Sequence, residues 1–215
     1  MDGLIGQKLG MTQVFDREGR RLAVTVIEAG PCVVVQRRTR EKDGYDAVQL
    51  GYRDVAERRT TKAMMGHFKK AQVTPLGLLK EVALDAGEDP KPGETVTVKM
   101  FEGVTHVDVI GVTKGRGFQG VVRRHGMRGG PMTHGGHSKR RIGSVGANAW
   151  EARVYRGHRM PGHMGNVLVT TQNLRVAEIR GDDNLILVCG AVPGPTGAAV
   201  LVRKALKKRK TGKAQ

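Results

Sequence analysis

Cysteine and long apolar runs are both scarce in this chain. Of its 215 residues only Cys32 and Cys189 are cysteines, and each lies in a strand-like apolar run. So few cysteines exclude a fold built on disulfides, favour two buried thiols over one bridge, and indicate the cytosol or its organellar equivalent. No apolar run approaches the length of about 18 residues that spans a membrane. Residues 1–12 also lack the basic start and apolar stretch of a signal peptide.

Acidic residues are absent between Asp108 and Glu151. That gap holds eight basic residues, namely Lys114, Arg116, Arg123, Arg124, Arg128, Lys139, Arg140 and Arg141. We call residues 113–165 the basic segment; it also contains five of the seven histidines and thirteen glycines, with few large apolar side chains. Such a segment cannot bury enough apolar surface to offset the entropy of fixing its backbone. We expect it to order only against a polyanion.

The whole chain shares this excess of positive charge. It has 37 Lys and Arg against 20 Asp and Glu, a formal net charge of +17. That excess is larger than solubility requires and indicates a stable partner of opposite sign, of which nucleic acid is the commonest. A membrane surface would also attract it, but this usually takes an amphipathic helix or a lipid anchor. The sequence shows neither, so we predict a nucleic-acid partner, no membrane and no small-molecule substrate.

Strand patterns lie on both sides of the basic segment. Alternating, β-branched residues predict strands at 22–29, 32–36, 45–52, 94–101, 105–112, 166–180, 185–192 and 198–205. Residues 61–71 have the apolar spacing of a helix, and 76–82 fit either a short helix or a strand. The predicted fold class is therefore mainly β, with a small α/β insertion and a long basic loop.

This pattern also predicts the domain organisation. A discontinuous β domain takes 1–52, 94–115 and 166–205, a small α/β insertion takes 53–93, the extended basic loop takes 116–165, and a basic tail takes 206–215. The cationic run in the tail at 207–210 fits either an RNA contact or a solvated charge run. The basic segment thus leaves the β domain and returns to it.

Residues 115–120 match the G-x-G-x-x-G pattern of a dinucleotide-binding turn. That fold also needs a substantial helix after the third glycine, a second parallel strand and an acidic residue about twenty positions later. Here further glycines and Pro131 follow, and the next acid is Glu151. We predict no nucleotide cofactor. The glycines instead permit close approach of the backbone to phosphate, at Gly115, Gly117, Gly120, Gly129, Gly130, Gly135 and Gly136.

The histidines of the basic segment raise the question of a metal site. His134 and His137, joined by His125 or His163, have weak ligand spacing, with no cysteine or carboxylate nearby. Catalysis has no better support, because neither serine of the segment has an orienting acid and no cysteine lies among basic groups. We predict no metal, no cofactor and no enzyme. Histidines among arginines and glycines more often donate to phosphate or stack on bases.

The predicted RNA contacts are the polar and aromatic residues of the basic segment. Trp150, the only tryptophan, fits two interpretations, a small local protein core or a stack against a nucleobase. The full set is Lys114, Arg116, Arg123, Arg124, His125, Arg128, His134, His137, Lys139, Arg140, Arg141, Asn148, Trp150, Arg153, Arg156, His158, Arg159 and His163.

Residues 101–124, FEGVTHVDVIGVTKGRGFQGVVRR, resemble the signature of the large-subunit ribosomal protein L3 family. Nine positions fall at that family's spacings, namely Phe101, Asp108, Gly111, Thr113, Gly115, Arg116, Gly117, Gly120 and Arg124. Similar landmarks follow in the family's order: GLIGQKLGMT (3–12), AGPC (29–32), GHFKKA (66–71), GSVG (143–146), GHMGN (162–166) and GAVPGPTG (190–197). The resemblance covers essentially the whole chain, whose length is that of the bacterial or organellar branch.

The resemblance implies a Greek-key β-barrel of the kind shared with translation factors, with the basic segment as a finger reaching toward the peptidyl-transferase centre. It implies a structural constituent of the large ribosomal subunit in the cytoplasm. It also implies early binding to large-subunit rRNA near its 3′ end and contact with ribosomal proteins L14 and L19. If residues 126–162 fold out and back, each arm of about eighteen residues reaches roughly 60 Å.

Two alternatives to this function stay open at the level of sequence. One is an extraribosomal RNA-binding or RNA-chaperone protein, and the other is a histidine-dependent metalloenzyme. One departure from the family also bears on the finger tip, because residues 149–152 read Ala-Trp-Glu-Ala where bacterial relatives usually carry Gln-Thr-Pro-Gly. That glutamine is methylated in some relatives, and Ala149 cannot be. A bulky ring and an acid in place of a Pro-Gly turn predict a different tip conformation.

Overall fold

A computed structural model describes residues 1–85, 87–146 and 150–208. Within these ranges the strands are β1 (Gly3–Phe15), β2 (Arg21–Ala29), β3 (Cys32–Arg38), β4 (Ala47–Asp54), β5 (Leu76–Ala83), β6 (Thr95–Val96), β7 (His106–Val112), β8 (Phe118–Gln119), β9 (Gly162–His163), β10 (Leu168–Arg180), β11 (Leu185–Cys189) and β12 (Ala199–Lys204). The α-helices there are α1 (Arg40–Asp43), α2 (Lys62–Lys70) and α3 (Val121–His125). About 40% of the chain is strand and 12% helix, which confirms the mainly β class.

The chain divides into two compact units. The first consists of residues 1–112 together with the chain from Leu168 onward, and the second is 113–167, which contains the basic segment. In the described residues, no helix is both long enough and apolar enough to cross a membrane.

A closed barrel of six antiparallel strands forms the centre of the first unit. Its order is β1-β12-β7-β10-β11-β2, with β2 returning to β1. Alternate residues of each strand face the interior, so the β-branched positions form the core. Val107 and Val109 of β7 and Ile186 and Val188 of β11 are completely buried. The strands predicted on both sides of the basic segment are confirmed, because their alternating apolar residues face this core.

A second sheet of four strands, in the order β5-β4-β3-β6, completes the first unit. We predicted that 32–52 belongs with the barrel strands, whereas the structure pairs β3 and β4 with β5 and β6. The open alternative at 76–82 is resolved as a strand, because β4 pairs with β5 from Ala47 to Asp54. Val34, Val48 and Leu50 of this sheet share one apolar cluster with Leu4 of the barrel.

Two short segments of the first unit differ in how well sequence anticipated them. The helix predicted at 61–71 is α2, whose Thr61 side chain accepts from the amide of Met64 and whose Phe68 is buried. The strand predicted at 94–101 is wrong beyond β6, since Val98–Phe101 forms a 3-10 helix. A three-residue period places Val98 and Phe101 on one face, and both side chains are fully buried.

Asp108, an acidic position of the resemblance, is buried in the first unit and fully engaged there. One carboxylate oxygen accepts from the amide of Asn173 at 2.8 Å, and the other accepts from the amide of Leu206 at 3.4 Å. The Arg203 guanidinium lies 3.6 Å from the second oxygen. A buried carboxylate is tolerated only with such partners, so Asp108 has a structural role.

Candidate RNA-binding unit

Positive charge in the second unit is almost unopposed. It contains eleven Lys and Arg residues, and Glu151 is its only acid. Ten of the eleven are exposed, and across 113–146 and 150–167 no ion pair engages any of them. Glu151 accepts a hydrogen bond from the Tyr155 hydroxyl, which raises the pKa of Tyr155. Exposed cations without carboxylate partners are what a polyanion would neutralise.

The two ends of the second unit are joined by a short ladder of backbone hydrogen bonds. The amide of Thr113 donates to Val167 at 2.9 Å, and Arg116 and Gly117 exchange bonds with Met164 at 2.9 and 3.0 Å. β8 then pairs with β9, with Phe118 opposite His163. We call residues 113–126 and 158–167 the root of the unit. These backbone hydrogen bonds hold the outgoing and returning chains of the root against each other.

A five-residue helix, α3, follows this ladder within the root. The amide of Arg124 donates to Gly120 at 3.0 Å, and Gly126 ends the helix in the left-handed conformation with φ of 70°. Positive φ favours glycine at such a position. Val121 at the helix start is 1% exposed. A helix this short does not support the dinucleotide-binding fold.

The last turn of α3 carries two residues that we predicted as RNA contacts. The structure places both on a protein group, because Arg124 Nη1 lies 2.6 Å from the carbonyl oxygen of Met160 and His125 Nε2 lies 3.0 Å from the same oxygen. Both side chains are half-buried, as is His158. These three are set apart from the other predicted contacts by their partial burial.

Between residues 127 and 157 the described chain forms turns rather than paired strands. The amide of Gly130 donates to the carbonyls of Ser138 and Lys139, both at 3.2 Å, so the chain doubles back there. A Cβ on Gly129 would lie 2.4 Å from the Lys139 oxygen, and one on Gly130 would lie 2.7 Å from the Ser138 oxygen. These two glycines, predicted to approach phosphate, approach their own backbone. The described residues of 126–161 contain no strand pairing of the kind an extended hairpin would have.

The other predicted glycines have different surroundings. Gly117 and Gly135 have positive φ and open space where a Cβ would be, and Gly120 is also open. A Cβ on Gly115 would meet only Asn166 at 3.8 Å, whereas one on Gly136 would lie 3.0 Å from the Pro131 oxygen. The positions free to approach a ligand backbone are therefore Gly115, Gly117, Gly120 and Gly135.

The remaining predicted contacts are exposed wherever the structure describes them. This group is Lys114, Arg116, Arg123, Arg128, His134, His137, Lys139, Arg140, Arg141, Arg153, Arg156, Arg159 and His163. Two of them have a protein neighbour, since Arg123 donates to Gln119 at 3.4 Å and Arg153 lies over the Tyr155 ring at 5.5 Å. Asn148 and Ala149 lie outside the described residues, as does the tail from 209 onward.

Trp150 is 94% exposed, so in the described structure its indole does not pack into a local protein core. Phe118 at 77% and Met132 at 59% are further large apolar side chains of this unit that face solvent. Exposed aromatic rings on a cationic unit are typical of proteins that stack on nucleobases. No group of three or more His, Cys, Asp or Glu residues that could hold a metal ion occurs in the described part of the chain.

An exposed, cationic and glycine-rich surface of this kind is the electrostatic footprint expected of a nucleic-acid-binding protein. The comparisons with known proteins then identify the family. Residues 80–184 match the family model described as Ribosomal protein L3. The chain is 51% identical over 209 residues to the large ribosomal subunit protein uL3 of Brachyspira hyodysenteriae, covering 97% of this chain and 96% of that protein.

Two further relatives carry the same name. The uL3 protein of Pelotomaculum thermopropionicum is 51% identical over 96% of this chain and 98% of its own length, and that of Corynebacterium diphtheriae is 50% identical over 95% and 94%. The chain belongs to the ribosomal protein L3 family. This is a family of structural proteins, in agreement with the prediction that the chain is not an enzyme.

Sequence reasoning missed three residues that shape the root. Met160 supplies the carbonyl that Arg124 and His125 share, and any residue type could supply it. A Cβ on Gly162 would lie 2.8 Å from Arg124 Nη1, and one on Gly165 would lie 2.2 Å from the Lys114 oxygen. The sequence did contain a signal for the two glycines, because Gly162 and Gly165 both lie in the GHMGN motif at 162–166.

Proposed function

We propose that this protein is a structural constituent of the large ribosomal subunit that binds large-subunit rRNA through residues 113–167. The observation that carries the proposal is the set of ten exposed Lys and Arg side chains without a carboxylate partner in the described structure. Each such side chain can neutralise one phosphate and release a counterion, and exposed glycines let the backbone approach RNA. The names of the relatives support the same assignment.

The finer parts of the proposal follow the family resemblance. The protein binds rRNA near its 3′ end early in assembly, in the cytoplasm, and contacts ribosomal proteins L14 and L19. The barrel is of the Greek-key kind found in translation factors, and the segment at 116–165 is a finger directed at the peptidyl-transferase centre. The proposal also includes 206–215 as a basic tail.

Sedimentation of a cell lysate through a high-salt sucrose gradient tests this function. We expect the protein at one copy per large subunit, retained at salt concentrations that remove loosely bound factors. Ribonuclease treatment before the gradient is the control, and it should move the protein to the top. A protein that reaches the top in high salt with intact RNA is an extraribosomal RNA-binding protein or RNA chaperone, which contradicts the proposal.

A further inference from the structure

The root of the second unit contains a contact between residues far apart in sequence. Arg124 and His125 lie 36 and 35 residues before Met160, and both reach its carbonyl oxygen, at 2.6 and 3.0 Å. A carbonyl oxygen has two lone pairs and can accept two hydrogen bonds. The last turn of α3 therefore uses both acceptor positions of one backbone group on the returning chain.

The surroundings of this contact are shaped to fit it. The Arg124 guanidinium lies against Gly162, where a Cβ would be 2.8 Å from Nη1 and 3.0 Å from Cζ. Gly162 is itself paired with Gln119 in the two-stranded β8-β9 ladder. A side chain at 162 would have to displace either the guanidinium or the strand. The glycine therefore belongs to the same arrangement as the two hydrogen bonds.

We propose that Arg124 and His125 are positioning residues that clamp the carbonyl of Met160, and that they do not contact phosphate. The inference rests on the proposed function, because what the clamp positions is the RNA-binding part of the unit, residues 127–157. By holding Met160 beside α3, the clamp brings the two ends of that part together before RNA arrives. The ordering entropy that binding must overcome is then smaller.

The alternative is that both side chains leave Met160 and bind phosphate, as their exposed neighbours are proposed to do. The two roles differ in how they respond to salt. A lost phosphate contact lowers the slope of log affinity against log salt by about 0.7 to 0.9, whereas a lost positioning contact lowers affinity equally at all salt concentrations. The slope therefore separates the roles even where both variants bind more weakly.

The experiment measures binding of the full-length protein to a large-subunit rRNA transcript across a salt series. Arg124→Gln and Gly162→Ala should each weaken binding about fivefold, the size of one net hydrogen bond, with the wild-type slope retained. The two effects should not add in the double variant, because both remove the same contact. Arg123→Gln is the matched control, since Arg123 lies on the same helix with its guanidinium exposed, and its slope should fall.

Hydrogen exchange of the free proteins gives a second readout that needs no RNA. Both clamp variants should exchange faster at the amides of Arg116 and Met164, while the barrel amides of β7 keep their wild-type rates. A reduced slope for Arg124→Gln with unchanged exchange would show a phosphate contact and overturn the inference. If the wild-type protein fails to bind the transcript, the proposed function fails, and the exchange rates still decide whether the clamp exists.

Discussion

The two units of this protein differ in what stabilises them. The first has a continuous core of fully buried residues such as Leu4, Leu50 and Val188, whereas Val121 is the only buried apolar residue described in the second. Charge is divided in the opposite way. Of the 37 Lys and Arg residues eleven lie in 113–167 and 26 outside it, while the acids divide as one and nineteen.

This difference shows that one chain can combine two sources of order. Apolar burial stabilises the barrel unit without help, because its residues leave water on folding. The second unit has its root ladder and turns but little apolar burial, so we expect its remaining order to come from a counter-charged partner. The first unit is therefore expected to respond to changes in its core, and the second to salt, RNA and charge.

The largest expected contrast is in hydrogen exchange of the free protein. Amides of the barrel strands should exchange only on global unfolding, at a cost of about 5 kcal/mol or more, while those of 127–157 should exchange near unfolded-chain rates. Addition of large-subunit rRNA should slow exchange in 127–157 and leave the barrel unchanged. Strong protection across 127–157 without RNA would contradict folding on binding.

A matched pair of phenylalanines tests the same contrast by mutation. Phe101 of the first unit is fully buried and Phe118 of the second is 77% exposed. Phe101→Ala should reduce the free energy of unfolding by about 3 to 5 kcal/mol, because it removes buried contacts and leaves a cavity. Phe118→Ala should change it by less than about 0.5 kcal/mol. Urea unfolding monitored by circular dichroism measures both, and equal losses would refute the division.

Replacement of Trp150 tests whether exposed aromatic surface in the second unit serves RNA. Trp150→Ala should weaken rRNA binding by about 1 to 3 kcal/mol with an unchanged salt slope, because stacking involves no counterion release. Trp150→Phe keeps an aromatic face and should recover part of the loss. Binding isotherms at two salt concentrations distinguish these results. Wild-type affinity for Trp150→Ala would exclude the stack.

Neutralisation of adjacent cations tests the charge of the second unit. Arg140→Gln and Arg141→Gln should each lower the salt slope of rRNA binding by about 0.7 to 0.9. The matched control is Arg180→Gln in the first unit, because Arg180 is exposed and already donates to Glu178 at 2.8 Å. Its slope should equal that of the wild type. If Arg140 and Arg141 leave the slope unchanged as well, those two side chains face solvent in the complex.

The smallest expected effect is a pH dependence that comes from burial in the first unit. Burial raises the pKa of the Cys32 thiol from 9.0 to about 12, and its Sγ donates to the Ile5 carbonyl at 3.3 Å. Because the pKa of Cys32 is higher in the folded state, its protonated thiol contributes fully to stability below pH 9. This contribution is lost as the pH rises toward 12. The loss at pH 9 is about 0.4 kcal/mol.

The free energy of unfolding of Cys32→Ala should not show this decrease between pH 8 and 10. Cys189→Ala, which alters a half-buried cysteine, is the control and should retain it. Identical pH dependence in the wild type and Cys32→Ala would show that Cys32 does not titrate this way. A free energy of unfolding that rises from pH 9 to 10 because of Cys32 would reverse the predicted sign.

The sequence predicted local features better than long-range ones. Alternation located β7 and β10, and the apolar spacing of 61–71 predicted α2, because these signals arise from neighbouring residues. The pairing of β3 with β4 and β6 in a separate sheet depends on contacts that one strand's pattern does not specify. The segment Val98–Phe101 was predicted as a strand, because its residue types occur in strands as well as in the 3-10 helix that it forms.

The composition of the candidate site was predictable from the sequence, but which of its residues contact RNA and which contact the protein itself was not. An unopposed run of cations indicates a polyanion whatever the conformation. In contrast, the chemistry of Arg124 and His125 is the same whether they donate to a phosphate or to a carbonyl, so sequence could not separate these roles. Gly129 and Gly130 were ambiguous in the same way, because a glycine admits any close backbone, including that of Ser138.

The register of the barrel has a consequence for how this protein can diverge. Val112 and Leu168 are direct partners in neighbouring strands, so the entire second unit is topologically the connection of one β-hairpin. A hairpin connection can in principle be shortened to a turn of a few residues without changing any strand order. The length and composition of this unit can therefore vary between lineages independently of the barrel that carries it.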